Sequence, residues 1–166
     1  MNKKYSIPRG TFDILPKDSF KWQFISDKFK QMMLYYNYKE IITPIFENSE
    51  IFERTSGENS DVVKKEMYRF TDRKEREFAL RPEGTAPVVR SFIENNLQAN
   101  GINKLYYIGP MFRYDRPQKG RSRQFYQYGL ELLGSDSFYY DAEIIALGYN
   151  FLKSLGLKNF TVEINS

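Results

Sequence analysis

Two hairpin patterns, helices that join them without a strict strand–helix–strand rhythm, and the lack of any repeat or linker predict an α+β fold. The expectation is a mainly antiparallel sheet with helices packed on it. Residues 9–16 read as an extended lead with turn residues, and a helix begins near Ser19. Trp22, Ile25, Phe29, Met32, Met33 and Tyr36 recur there at helical spacing and form one apolar stripe. Residues 38–43 read as a strand ending at Pro44, whose missing N–H suits an edge or an interface. A short helix over 49–54 and a polar loop through 56–60 follow. Residues 67–71 and 77–81 make the first hairpin, across the charged turn Asp72-Arg73-Lys74-Glu75. Pro82-Glu83-Gly84-Thr85 then leads into a helix with Ala86, Val89, Ile93 and Leu97 on one face and Pro87 in its first turn. A polar link over 95–103 precedes the second hairpin. Residues 136–155 read as a helix and 160–164 as a strand.

The second hairpin has the strongest chemical content. Its arms are residues 105–114 and 123–133, and five Arg or Lys against one acid, Asp115, lie from Arg113 to Arg123. Strand side chains alternate, so Arg123, Phe125, Gln127, Gly129 and Glu131 share one face while Tyr126, Tyr128, Leu130 and Leu132 share the other. The first face offers a guanidinium, an aromatic plate, an amide, bare backbone and a carboxylate. Arginine forks suit phosphate oxygens, phenylalanine stacks on a base, and glutamate accepts from an ammonium or an imidazole N–H. That inventory points to a nucleotide bound beside a cationic small molecule. An edge hairpin with a solvated basic loop is the plainer alternative.

Composition narrows the chemistry further. The chain has 166 residues, enough for one domain with a real core, and a mildly basic formal charge of +4. It contains no cysteine and no histidine. Disulfides, thiolate metal sites, thiol nucleophiles and histidine general bases are therefore excluded from these residues, and catalysis must lean on charge and positioning. The opening residues are not followed by an apolar signal core, and no run of about 18 apolar residues exists to span a bilayer. A cytoplasmic protein with no membrane partner is the expectation.

Three stretches, 79–85 (ALRPEGT), 109–121 (GPMFRYDRPQKGR) and 123–127 (RQFYQ), resemble the histidyl-tRNA synthetase family of class II aminoacyl-tRNA synthetases. The likeness extends over nearly all of the chain, including the long first helix and the strand ending at Pro44, which look like the class's dimer-forming first motif. It implies a class II synthetase-like sheet flanked by helices. It also implies a two-step reaction with ATP and Mg2+: activation of histidine to histidyl-adenylate, then transfer to tRNA(His). By the same likeness, Arg113 holds the α-phosphate, Phe125 stacks on adenine, and Arg121 and Arg123 serve the outer phosphates. Glu83 and Thr85 receive the substrate's amino group, Gln127 approaches its carboxylate end, and Glu131 reads the imidazole. Asp115, where the family usually has the longer Glu, stands on the ATP side. Asp115 and Glu131 could also contribute to magnesium, although no metal ligand is assigned.

Each role has a plainer counterpart. Glu83 suits a helix start, Phe125 suits core packing, and Glu131 suits an exposed strand. The resemblance further implies that residues 1–166 are a truncated catalytic domain, carrying the first and second class motifs. The third motif, the histidine-specific segment and the anticodon-binding domain are absent from it, so activity alone is expected to be low and a homodimer belongs to the full-length parent. Two other classes stay open. One is a synthetase-like regulatory subunit of histidine biosynthesis, against which Arg113, Arg121, Arg123 and Phe125 weigh because a pure histidine sensor needs no phosphate-and-adenine face. The other is an RNA- or phosphate-binding module using the basic loop, marked by steep salt dependence without histidine dependence.

Overall fold

The computed structural model describes residues 5–56 and 66–165, and most of the polar loop expected over 56–60 falls outside them. The helix α1 spans Pro16–Tyr35, beginning earlier than the apolar stripe suggests. Pro16 sits in the first turn, where no N–H is needed, and Asp18 adds a favourable negative charge there. Asn37 ends the helix in the left-handed region at φ 61°, and the Tyr38 N–H donates back to the Met33 carbonyl. The strand β1, Lys39–Glu40, follows; then come β2, Phe46–Asn48, and α2, Ser49–Ser56.

The first hairpin is present as β3, Arg69–Thr71, and β4, Glu77–Leu80, closed by Asp72 accepting from the backbone N–H groups of Lys74 and Arg76. The helix α3 covers Thr85–Glu94, and a short 3-10 turn over Leu97–Asn100 leads to the long hairpin β5, Asn103–Phe112, and β6, Gln124–Leu133. The helix α4 is Phe138–Ser154.

The strands form two three-stranded sheets rather than one: β1-β5-β6 and β2-β4-β3. The pairing of β1 with β5 is parallel; the other pairings are antiparallel. The expected strand over 38–43 shortens to two residues because the chain beyond it turns to bring the Thr43 and Pro44 carbonyls to Arg81. Residues 160–164 are not a strand. A lone extended segment needs a partner ladder, and among the described residues it has none, leaving Ile164 73% exposed.

One core lies between α1, α4 and the outer face of the long hairpin. Phe29, Met33, Tyr38, Tyr106 and Leu147 are buried there, with Tyr128 and Leu130 of β6 packed against them. The opposite face of the hairpin contributes Leu105, Tyr107 and Met111 to a cluster with Val88 of α3, and a third cluster joins Phe52, Ala79 and Ala86. The first turn of α3 is thus wedged between the two sheets. That is why Ala86, Pro87 and Val88 are buried in succession, and why the expected single face fails at Ile93, which is 63% exposed.

Arg81 joins the sheets. Its buried guanidinium donates from Nε to the Pro110 carbonyl at 2.9 Å and from Nη1 to the Thr43 carbonyl at 3.0 Å, the Thr43 hydroxyl at 3.3 Å and the Pro44 carbonyl at 3.4 Å. Its own carbonyl accepts from the Phe112 N–H and its own N–H donates to Ile45. Arg81→Met leaves the buried Thr43 carbonyl and hydroxyl and the half-buried Pro110 carbonyl without this donor and is expected to destabilise the chain by about 2–3 kcal/mol, read as a lower urea midpoint. An unchanged midpoint would show that the two sheets are held together without this guanidinium.

Candidate active site

The register of the long hairpin places Tyr107 opposite Gly129 and Met111 opposite Phe125, and it aligns the inner face of β6 with the start of α3. Six residues of extended strand separate Phe125 from Glu131, roughly 20 Å. The two ends of that face differ in charge.

At the cationic end, Arg113 donates from Nε to the Pro82 carbonyl at 2.9 Å, and its guanidinium lies 5.3 Å from the centre of the Phe125 ring. The bond to Pro82 orients the fork. No carboxylate pairs with it among the described residues, so its terminal nitrogens face a cavity of about 330 Å³ lined by Arg113, Asp115, Gly120, Arg121, Ser122, Phe125 and Tyr126. Arg121 donates to Asp115 at 3.1 Å. Arg123 lies 4.0 Å over the Tyr114 ring, and its backbone N–H donates to the Gly10 carbonyl at 2.7 Å. Gly10 has φ +83°, and a side chain there would press on Arg123 and Pro117, so glycine is required for this strap across the loop. Phe125 also packs beside the Val88–Met111 cluster, combining a core contact with its place under Arg113.

At the anionic end, the Glu83 carboxylate accepts from the Thr85 N–H at 2.6 Å and the Ala86 N–H at 2.9 Å, satisfying two open donors at the start of α3. The Thr85 hydroxyl donates to Glu131 at 2.7 Å. Burial, with Glu83 nearby, pushes the Glu131 carboxyl above the usual glutamate range, opposed by the Thr85 and Tyr107 hydroxyls. Between the two ends, Gln127 buries its Oε1 without a partner among the described residues. Tyr126 turns to the other side and packs on Trp22 at 4.8 Å.

The predicted residues therefore gather on one face in two groups, with Gln127 between them. Asp115 is engaged by Arg121 and Glu131 by Thr85, and among the described residues no cluster of three or more acidic side chains forms a metal cradle. Sequence reasoning passed over Arg81 and Tyr107. Gly129 carries part of the signal for Tyr107, since a glycine within a strand marks a close approach, but only the β5–β6 register shows that the approaching ring is that of Tyr107.

A family model described as histidyl-tRNA synthetase matches residues 10–166. The chain belongs to the histidyl-tRNA synthetase family. Among its relatives, the histidine–tRNA ligase of Clostridioides difficile (strain 630) is 53% identical over 160 residues, covering 96% of this chain and 38% of the relative. That of Bacillus subtilis (strain 168) is 55% identical over 164 residues, covering 98% and 39%. The chain thus spans under two fifths of the length of these histidyl-tRNA synthetase relatives. The crystal structure of apo Staphylococcus aureus histidyl-tRNA synthetase superposes with a TM-score of 0.79 at 47% identity, covering 93% of this chain and 35% of that one. This supports the α+β reading. A structure from Bacillus halodurans C, described as an ATP phosphoribosyltransferase regulatory subunit/histidyl-tRNA synthetase, gives the same TM-score at 27% identity, covering 93% and 39%.

Two expectations follow from the site. Glu83→Ala removes the acceptor for two N–H groups and lowers stability by about 1 kcal/mol, checked by thermal or urea unfolding. No loss would mean that water satisfies those donors equally well. For Glu131, a raised folded pKa means the folded chain binds the proton more tightly than the unfolded one. The associated stability is complete below the unfolded value of about 4.3 and is lost as pH rises through the folded value. Glu131→Gln is accordingly expected to raise the urea midpoint over wild type at pH 7, with the difference shrinking toward pH 4. A difference independent of pH would place this carboxyl at its ordinary value.

Proposed function

We propose that this chain carries the histidine-activating face of a histidine–tRNA ligase, binding ATP and histidine end to end along β6. The observation that carries the reading is the single strand face with Arg113 and Phe125 at one end and Glu83, Thr85 and Glu131 at the other. Phe125 takes the adenine ring. Arg113, fixed through its Nε, presents its remaining donors to the α-phosphate, Arg121 and Arg123 serve the outer phosphates, and Asp115 stands on the ATP side. The Thr85 and Glu83 oxygens receive the histidine ammonium, Glu131 accepts the imidazole N–H, and Gln127 meets the reacting carboxylate.

In the first step, a carboxylate oxygen of histidine attacks the α-phosphorus of ATP. The bond between the α-phosphorus and the oxygen bridging to the β-phosphate breaks, and pyrophosphate leaves with the bonding electron pair. Negative charge spreads over the phosphoryl oxygens, and a fixed guanidinium stabilises it without reorganising. No residue must take a proton in this step, which suits a chain lacking histidine and cysteine. In the second step, the terminal ribose hydroxyl of tRNA(His) attacks the acyl carbon of the adenylate, and AMP leaves with its phosphate taking up the hydroxyl proton. Magnesium, when bound with ATP, would supply positive charge to the phosphate oxygens.

Residues 1–166 act as one portion of a catalytic domain, and their turnover is expected to be low without the remainder of the length that the relatives have. The same reading includes a homodimer of the full-length protein and a cytoplasmic location. Among the described residues, no helix is long and apolar enough to cross a membrane.

A second reading, a histidine-sensing regulatory subunit, is favoured by the Bacillus halodurans C structure alone. An oriented Arg113 above Phe125 argues for the ligase. The deciding measurement is histidine-dependent ATP–pyrophosphate exchange on the folded chain. Exchange is expected to require histidine and to fall by about a hundredfold to a thousandfold in Arg113→Ala. Histidine binding with no ATP binding would favour the sensor. Salt-sensitive RNA binding with no histidine dependence would favour a basic-loop module instead.

A further inference from the structure

We propose that Tyr107 is a positioning residue for the imidazole-reading end of the site: its ring, locked between Gly84 and Gly129, holds its hydroxyl against Glu131 and Thr85 and so aims the Glu131 carboxylate at an incoming N–H donor. The inference rests on the histidine reading above for the identity of the ligand. The geometry of the protein's own groups stands independently of it.

The ring is fixed by two missing side chains. A methyl group built on either Gly84 or Gly129 would overlap the Tyr107 ring and hydroxyl, so both positions must lack a side chain for the ring to lie where it does. Gly84 immediately precedes α3 and Gly129 is the cross-strand partner of Tyr107, so the ring spans the gap between the α3 start and β6. The residue is only 6% exposed, and Leu105, Met111 and Val88 complete its surroundings.

The hydroxyl end of the ring lies against Gly84, beside Thr85 in sequence, and against Gly129, two residues from Glu131 on the same strand face. The Thr85 proton is already committed to Glu131, so a Tyr107 proton turned toward the pair would go to the carboxylate or to the Thr85 oxygen. Either arrangement restrains Glu131 and offsets part of the cost of burying its charge. The groups that act on Glu131 are Tyr107 from β5, Thr85 from α3 and Glu83 from the turn before it, while the Arg81 charge acts on the Tyr107 hydroxyl. Burial and the adjacent acids push the Tyr107 hydroxyl well above the usual tyrosine range, so it remains a proton donor at every working pH.

Tyr107→Phe tests this directly, because it keeps the ring between the glycines and deletes only the hydroxyl. The first measurement is an NMR titration of the side-chain carboxyl carbons in 13C-glutamate-labelled chain, with Glu131→Gln identifying the Glu131 signal. Loss of a donor to the carboxylate is expected to move the Glu131 midpoint to higher pH in Tyr107→Phe, while the other glutamates keep theirs. An unchanged Glu131 midpoint in a folded variant would overturn the proposal. The second measurement is binding of L-histidine and, separately, of ATP. Histidine is expected to bind about ten- to a hundredfold more weakly to Tyr107→Phe, with ATP unaffected. Equal loss for both ligands would mean a general structural role and would also overturn it. If wild-type chain binds no histidine, the ligand reading fails, and the titration alone decides whether Tyr107 holds Glu131.

Discussion

A buried guanidinium needs acceptors turned toward it, and Arg81 is the point at which that constraint shapes the molecule. Its donors reach the segment between β1 and β2 and the end of β5, while its backbone belongs to the end of β4. Three separate lengths of chain must therefore meet at one place with carbonyls turned inward. Burial pulls its pKa below the usual arginine range, yet arginine remains charged under all ordinary conditions, so satisfying it by geometry is the available solution. Gly109 yields the space: a side chain there would run into the Arg81 fork. Everything that follows Arg81 in sequence inherits its position. The Pro82 carbonyl aims Arg113, Glu83 anchors the start of α3, Gly84 clears Tyr107, and Thr85 reaches Glu131.

This arrangement explains why a stretch of five residues serves both ends of a site roughly 20 Å long. Pro82 contributes a carbonyl to the cationic end, while Glu83 and Thr85 contribute oxygens to the anionic end. A helix start suits the second task because its open N–H groups hold a carboxylate in place. Glu83 is thereby both the helix-start acid of the plainer reading and a fixed oxygen pair available to an ammonium group. The two interpretations describe the same geometry, since a carboxylate tied by two backbone donors retains lone pairs for a third.

Much of this was legible in the sequence because it is local. The alternation along β6, the charged turn at Asp72 and, through Phe29, Met32, Met33 and Tyr36, most of the α1 stripe appear in the structure. What was not legible depends on distant pairing. Residues 38–43 have strand composition, but the needs of Arg81 take Thr43 and Pro44 away from the ladder. Residues 160–164 also have strand composition, and no described edge receives them. The α3 face was misjudged because periodicity assumes one buried side, whereas the first turn of this helix is enclosed by two sheets. At the site, charged and aromatic side chains could be read from their chemistry, but the glycines that place Tyr107 could not be interpreted before the register was known.

The neutral centre of the face completes the electrostatic logic. A strand length of roughly 20 Å lies between the two ends of the face, so each end acts mainly on the ligand group nearest to it. A substrate pair with phosphates at one end and an ammonium and imidazole at the other gains from both. The reacting carboxylate must pass between them, and a second positive side chain there would hold it in an ion pair and blunt its nucleophilicity, while a negative one would repel it. Gln127 occupies that position with an uncharged amide whose Oε1 has no partner among the described residues. Its N–H2 group can orient a carboxylate by hydrogen bonding at much smaller electrostatic cost to the attack. Under the proposed reading, an uncharged amide at this point of the face suits a carboxylate that must be oriented and still stay free to attack.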